Sequence, residues 1–284
     1  MGKGIIMRRK IIVKDNNNII SILNEYGIGK NKVKSLVHYN NIYVNGNVIM
    51  KLPFNVKIGD IIEIKDEIKV DTNLDIVYED SNYLIINKEA GLLTISTSNQ
   101  NKDKEITLYK KVRDYLNKKK EYSFIVNRID KETSGIVVFV KNLKLKEALQ
   151  SNWNDIVKKR GYIAIVSGKI NNDGRIDNYL YEDKKTFVHS SSFGKRAITN
   201  YKVIKSNSKY TMLDINIETG RKNQIRVHMT EMGHPIVGDK KYYSKDNSLK
   251  RLCLHAYELD FIDPITKKKL VFKSEVPKSF YSLF

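Results

Sequence analysis

Residues 127–140 read NRIDKETSGIVVFV, a charged loop that runs directly into β-branched and aromatic residues. From Gly135 to Val140 the composition is that of a buried strand. The loop before it sets Arg128 and Asp130 against that apolar run. An aspartate in such a place is most often a turn or capping residue. Asp130 nevertheless has no other reason to be a carboxylate beside so much buried surface, and Thr133, Ser134 and Gly135 supply hydroxyls and a flexible backbone that could position it.

A second charged set interrupts apolar positions in GRKNQIRVHM, residues 220–229, where Arg221, Gln224, Arg226 and His228 flank Ile225 and Val227. The wider segment QIRVHMTEM has helical character. If it were strand-like instead, Gln224, Arg226 and His228 would share one face, and a buried cation on that face would require an anion. Asp130 is the candidate. The surrounding region is rich in strand patterns: YLIIN (83–87), FIVNRI (124–129), GYIAIVSG (161–168), TMLDINIE (211–218) and LCLHAYELDF (252–261). Helical patterns are fewer, near residues 107–120, 143–153 and 224–232. Strands and helices do not alternate as in a doubly wound fold, so the spacing predicts an α+β domain on a mostly antiparallel sheet over residues 71–284.

Residues 1–70 predict a separate small unit. Ile19, Ile20, Leu23 and Tyr26 fall at helical spacing, with Gly27 where a left-handed stop belongs. A second short helix over residues 30–40 turns Val33, Leu36 and Val37 inward, while Lys30 and Lys34 share another face. NIYVNGNVI (41–49) reads as strand, Asn45-Gly46 turn, strand, and KIGDIIEI (57–64) ends in a further strand.

The 284 residues hold 51 Lys and Arg against 32 Asp and Glu, a net charge of +19. Residues 1–70 carry 12 basic and 6 acidic side chains, net +6, which leaves +13 for the rest. A chain this basic favours polyanions, nucleic acid foremost. No apolar run approaches the ~18 residues of a membrane span. The first residues lack an apolar stretch of signal-peptide length, and Ile6 stands where a myristoylation signal needs Ser or Thr, so a cytoplasmic protein is expected. The lone Cys253 cannot form an internal disulfide and reads as a buried thiol. Run 118–121, KKKE, reads as an exposed turn.

Several chemistries are excluded by spacing. Gly27 to Gly29 follows no strand and lacks the third glycine of a dinucleotide loop, and no GxxxxGK[ST] phosphate loop occurs. His228 and His234 are six apart and separated on a helix by 240°, with Gly233 and Pro235 breaking it, which argues against a zinc helix. Ser134 lacks the leading glycine of a nucleophile elbow.

The ordered motifs resemble a known family. NRIDKETSG is similar to the HRLDxxTSG signature of the RluA/RluD-type pseudouridine synthases, which modify uridines in ribosomal and transfer RNA. The segments IVYEDSNYLIINKEAGL, RGYIAIVSG, GKRAITNYKVI, ETGRKNQIRVHM, GHPIVGDKKYY and LCLHAYELDFIDP follow in the order of that family over about residues 74–280. Departures are Asn127 for His, Ile129 for Leu, Glu89 for Pro, Asn223 for His and Asp263 for His. None removes a group the chemistry requires. Residues 17–66 resemble the small RNA-binding domain named after ribosomal small-subunit protein four, with a basic second helix bearing Lys30, Lys32 and Lys34.

That resemblance implies isomerisation of uridine to pseudouridine with no metal, organic cofactor or energy source. It implies Asp130 as the essential carboxylate, by attack on the anomeric carbon or by removal of the 2′ proton, with Arg226 as its cation and Tyr162 against the uracil. It further implies Arg128, Thr133, Arg221, Gln224 and His228 as RNA contacts. Large-subunit ribosomal RNA is the expected substrate and transfer RNA the alternative, with a monomer the simplest assembly. A noncatalytic RNA-binding assembly factor and a glycosidase releasing free uracil are the competing classes. The former has no use for a buried carboxylate facing phosphates.

Overall fold

The computed structural model describes residues 8–38, 41–49, 51–65, 73–96, 105–242 and 244–284. The chain divides into two compact units, Met1–Val70 and Asp71–Phe284. The join between them, and residues 39–40 at the end of the second expected helix, lie outside the described residues.

The first unit comprises β1 (Arg8–Ile12), β2 (Asn17–Asn18), α1 (Ile19–Glu25), α2 (Lys30–His38), β3 (Ile42–Val44), β4 (Asn47–Val48), β5 (Asn55–Val56) and β6 (Ile61–Lys65). The side chain of Asn18 caps α1 by accepting from the N–H of Ile20, and Gly27 ends it at φ +79°. Asn45 and Gly46 both have positive φ, the geometry of the tight turn between β3 and β4. A four-stranded antiparallel sheet, β1-β6-β3-β4, packs its apolar side on both helices through Ile19, Leu23, Val33, Leu36, Ile42 and Ile62. Lys30, Lys32 and Lys34 are exposed on α2.

The second unit begins with β7 (Ile76–Glu79), β8 (Tyr83–Lys88), α3 (Leu108–Lys118), β9 (Phe124–Ile125), β10 (Ser134–Val140), α4 (Leu143–Ser151) and α5 (Trp153–Ile156). It continues with β11 (Val157–Ser167), β12 (Gly174–Glu182), β13 (Val188–Ser191), β14 (Lys195–Ser206), β15 (Tyr210–Ile217), α6 (Gln224–Glu231), β16 (Leu254–Ile262), β17 (Lys269–Lys273) and α7 (Lys278–Tyr281). Its 11-stranded sheet runs β13-β12-β14-β15-β11-β16-β10-β8-β7, with β17 and β9 on side branches. Among the described residues every pairing between strands of this sheet is antiparallel except β10 with β16. The fold is therefore α+β on a large, mostly antiparallel sheet.

All seven residues of β10 are buried, because helices or strands cover it on both faces. Each aliphatic side chain so buried contributes about 1.5–3 kcal/mol. The β10–β16 contact depends on Gly135, whose φ is +116° and whose hypothetical Cβ would lie 2.1 Å from the carbonyl oxygen of Ala256. The strand pattern FIVNRI is realised only at Phe124–Ile125, after which the chain turns into the loop that carries Asp130. Cys253 is buried just before β16, and burial pushes its thiol up to about 12. No helix among the described residues is long and apolar enough to cross a membrane.

Candidate active site

The loop over residues 127–134 is pinned from beneath. Lys88, 1% exposed, donates from Nζ to the carbonyls of Lys131 (2.9 Å), Glu89 (2.8 Å) and Leu92 (2.7 Å). Burial lowers this ammonium to about 8. Thr94 Oγ1 donates to the carbonyl of Ile129 at 2.6 Å. Ser134 Oγ accepts from Arg251 Nη2 (2.7 Å) and lies 2.8 Å from His255 Nδ1, and His255 Nε2 in turn faces Ser274 Oγ at 2.9 Å. Asn127 accepts the N–H of Val138 at 2.8 Å, so this departure from the family signature serves the backbone of β10.

Asp130, held on that loop, opens into a cavity of about 430 Å³ lined also by Tyr162, Arg128, Arg160, Arg221 and Lys222. That volume lies within the range of about 300–1,000 Å³ usual for small-ligand pockets. The Asp130 side chain keeps 30% of its surface accessible while protein surrounds the rest. Burial raises its pKa above the ordinary carboxylate value, Arg226 and Arg128 pull it back, and Asp239 adds to the rise. Tyr162, on β11, is pushed up to about 12 by burial and then by the Asp130 charge, so at neutral pH it is a phenol. Arg128 and Arg221 are exposed at the rim, where Arg221 Nε donates to the carbonyl of Arg196 at 2.9 Å.

Arg226 approaches Asp130 from α6, with Nη1 3.8 Å from Oδ2. Its tighter partner is Asp239, an acid outside the set expected from sequence. Nε and Nη2 of Arg226 donate to the two oxygens of Asp239 at 2.7 Å each. The available signal was an acid placed directly after the apolar run Ile236-Val237-Gly238.

The strand alternative for residues 224–228 is corrected, since α6 is a helix and a spacing of two turns side chains by about 200°. Gln224 and His228 therefore point together at Thr199 of β14, and Arg226 points away from them toward Asp130. Gln224 Nε2 donates to Thr199 Oγ1 (3.0 Å) and to the carbonyl of Ile198 (2.9 Å). The Thr199 hydroxyl is 2.9 Å from His228 Nδ1, and His228 Nε2 is 2.9 Å from Asn178 Oδ1. Burial lowers His228 to about 4, so it is neutral. These two residues are buried, as is Thr133, which is 2% exposed with its hydroxyl enclosed. Thr133, Gln224 and His228, expected as RNA contacts, thus stand inside the protein.

His234 Nδ1 is 2.8 Å from the carbonyl of Ser167. No group of three or more His, Cys, Asp or Glu side chains among the described residues is arranged to hold a metal.

The sequence profile of the RNA pseudouridylate synthase family matches residues 82–231. The chain is 37% identical over 215 residues to ribosomal large subunit pseudouridine synthase D of Borreliella burgdorferi, covering 72% of this chain and 66% of that relative. It is 32% identical over 280 residues to the protein of the same name from Vibrio cholerae, covering 87% and 83%. Among solved structures, human RNA pseudouridylate synthase domain containing 4 superposes with a TM-score of 0.58 at 22% identity, covering 72% of this chain and 90% of that one, a likeness of fold.

Proposed function

The chain belongs to the RNA pseudouridylate synthase family and is an enzyme that isomerises uridine to pseudouridine in RNA; on that premise we propose that its substrate is large-subunit ribosomal RNA and that Asp130 acts at the ribose. The observation that carries the reading is that Asp130 and Tyr162 line one cavity with a cationic rim, with the buried Arg226 guanidinium 3.8 Å behind the carboxylate. The names of the relatives support the ribosomal substrate.

In this reaction the bond between nitrogen 1 and the anomeric carbon breaks, the uracil turns, and carbon 5 bonds to the anomeric carbon. The hydrogen on carbon 5 is given up and one is gained at nitrogen 1, so the product is an isomer. Asp130 must be ionised to act, and Arg226 and Arg128 supply the opposing charge. Tyr162, a phenol at neutral pH, lies against the uracil, and its hydroxyl relays the proton given up at carbon 5 while its ring covers the base through the turn. A uridine inside folded RNA must first leave its stack at a cost of about a few kcal/mol. Arg128 at the mouth of the cavity fills the vacated space or holds the backbone, and Arg221 contacts phosphate.

The first unit serves as an RNA-binding domain like that of ribosomal small-subunit protein four. Its support is the helix pair on a small sheet and the exposed lysines of α2. The enzyme works as a cytoplasmic monomer, the simplest assembly for one that must wrap a large RNA.

Chemical mapping of pseudouridine in total RNA, from cells with and without the gene and from cells carrying Asp130→Asn, tests the proposal. One or more large-subunit sites should vanish in the null and the variant alike. Loss confined to transfer RNA would overturn the substrate, and undiminished pseudouridine with Asp130→Asn would overturn the role of the carboxylate.

A further inference from the structure

Asp239 has a completely buried side chain and no part in the cavity lining. Its Oδ2 accepts from Arg226 Nε, and its Oδ1 accepts from Arg226 Nη2 and from the backbone N–H groups of Lys241 (3.1 Å) and Tyr242 (3.0 Å). The remaining nitrogen of the guanidinium, Nη1, donates to Asn223 Oδ1 at 3.1 Å. The ring of Tyr242 stands 5.2 Å from Cζ. Every nitrogen of Arg226 is thus held, and only Nη1 faces Asp130. The loop itself is fixed at Gly238, where φ is +80° and a Cβ would meet the carbonyl oxygen of Arg251 at 1.9 Å.

We propose that Asp239 is a positioning residue, which aims Arg226 at Asp130 while keeping the bidentate edge of the guanidinium for itself. The inference rests on the reading of Asp130 as the acting carboxylate. A carboxylate engaged by both arms of an arginine fork has one lone pair on each oxygen committed to that fork. With the fork spent on Asp239, the oxygens of Asp130 stay available to the ribose, yet a cation remains close enough to favour ionisation. The charged and titratable groups facing Asp130 are Arg226 from α6, Arg128 from its own loop, Lys241 and Asp239 from the loop after α6, Tyr162 from β11 and Lys88 from β8. Asp239 is the anion among them whose removal leaves Arg226 facing Asp130 as its ion-pair partner.

The test is the single-turnover rate of pseudouridine formation against pH, with RNA affinity measured in parallel on the full chain. Asp239→Asn should slow the step by about 10- to 100-fold through misplacement of the guanidinium, with RNA affinity unchanged. Its acid limb should also move to lower pH, because the freed positive charge favours the Asp130 carboxylate. Asn223→Asp adds an anion at Nη1 and should move the limb to higher pH. Asp239→Glu should keep the limb of the unaltered enzyme. A slower rate with an unmoved limb would make Asp239 merely structural and overturn the proposal, as would unaltered kinetics, or limbs moving the same way in Asp239→Asn and Asn223→Asp. Should Asp239→Asn fail to fold, Asn223→Asp alone decides by the direction of its limb. Activity retained by Asp130→Asn would instead defeat the underlying reading.

Discussion

At Asp130 the protein keeps a carboxylate where burial disfavours its charge. Its folded pKa lies above the unfolded one, so near neutral pH ionisation costs more in the folded state than in the unfolded. Asp130→Asn should therefore raise the thermal unfolding midpoint while lowering activity by at least about 100-fold; calorimetry beside a pseudouridine assay reads both. A midpoint that falls would show the charge to be stabilising. The buried histidines behave in the opposite sense. Burial lowers His228 and His255 to about 4 from an ordinary 6.5, so the unfolded chain takes up protons that the folded one refuses. Stability is full above pH 6.5 and should decline as pH falls from 6.5 toward 4, by about 1.4 kcal/mol per pH unit for each histidine. Denaturant midpoints at pH 7 and pH 5 measure the decline, and His228→Gln with His255→Gln should flatten it.

Among the elements, β10 is the one on which the loop of Asp130 depends most directly. Gly135→Ala would drive a methyl into the backbone of β16 at a positive φ, and should cost about 2–4 kcal/mol with loss of activity. A protein of normal stability bearing this change would refute the account of Gly135. The apolar run of β10 was legible in sequence because every residue in it is buried, and so was the Asn45-Gly46 turn because few residues tolerate its dihedrals. The hairpin of β12 and β13 was not, since Tyr179 and Tyr181 are exposed on it and blur the alternation that Ile176 and Leu180 would mark. The orientation of α6 was obscured for another reason. Six consecutive residues, Gln224–Met229, are buried, so no polar face marks its period. Asp130, Tyr162 and Arg226 were recognisable from motif order. The fork between Arg226 and Asp239 was not, because it joins a helix to a loop through side-chain geometry alone.

On the scale of the whole molecule, charge sets the terms of RNA binding. With a net charge of +19 the protein should bind RNA with an affinity that falls steeply with salt. Lys30→Ala with Lys34→Ala should reduce the slope of log affinity against log salt by roughly one for each phosphate no longer neutralised, with the rate at saturating RNA unchanged. Binding titrations across a salt series check this, and an undiminished slope would remove α2 from the RNA interface. The basic composition made a polyanion partner legible, whereas the cationic rim around Asp130 is gathered from three separate stretches, at residues 128, 160 and 221–222. The sheet carries a similar separation into time. Strand β16 lies between β11 and β10, although β10 ends at residue 140 and β16 begins at residue 254. At a synthesis rate of roughly 5–20 residues per second, the carboxylate loop leaves the ribosome several seconds or more before the strand that joins it to the tyrosine. A nascent chain halted before residue 254 already holds the acid, the phenol and the guanidinium, and cannot yet assemble them into an enzyme.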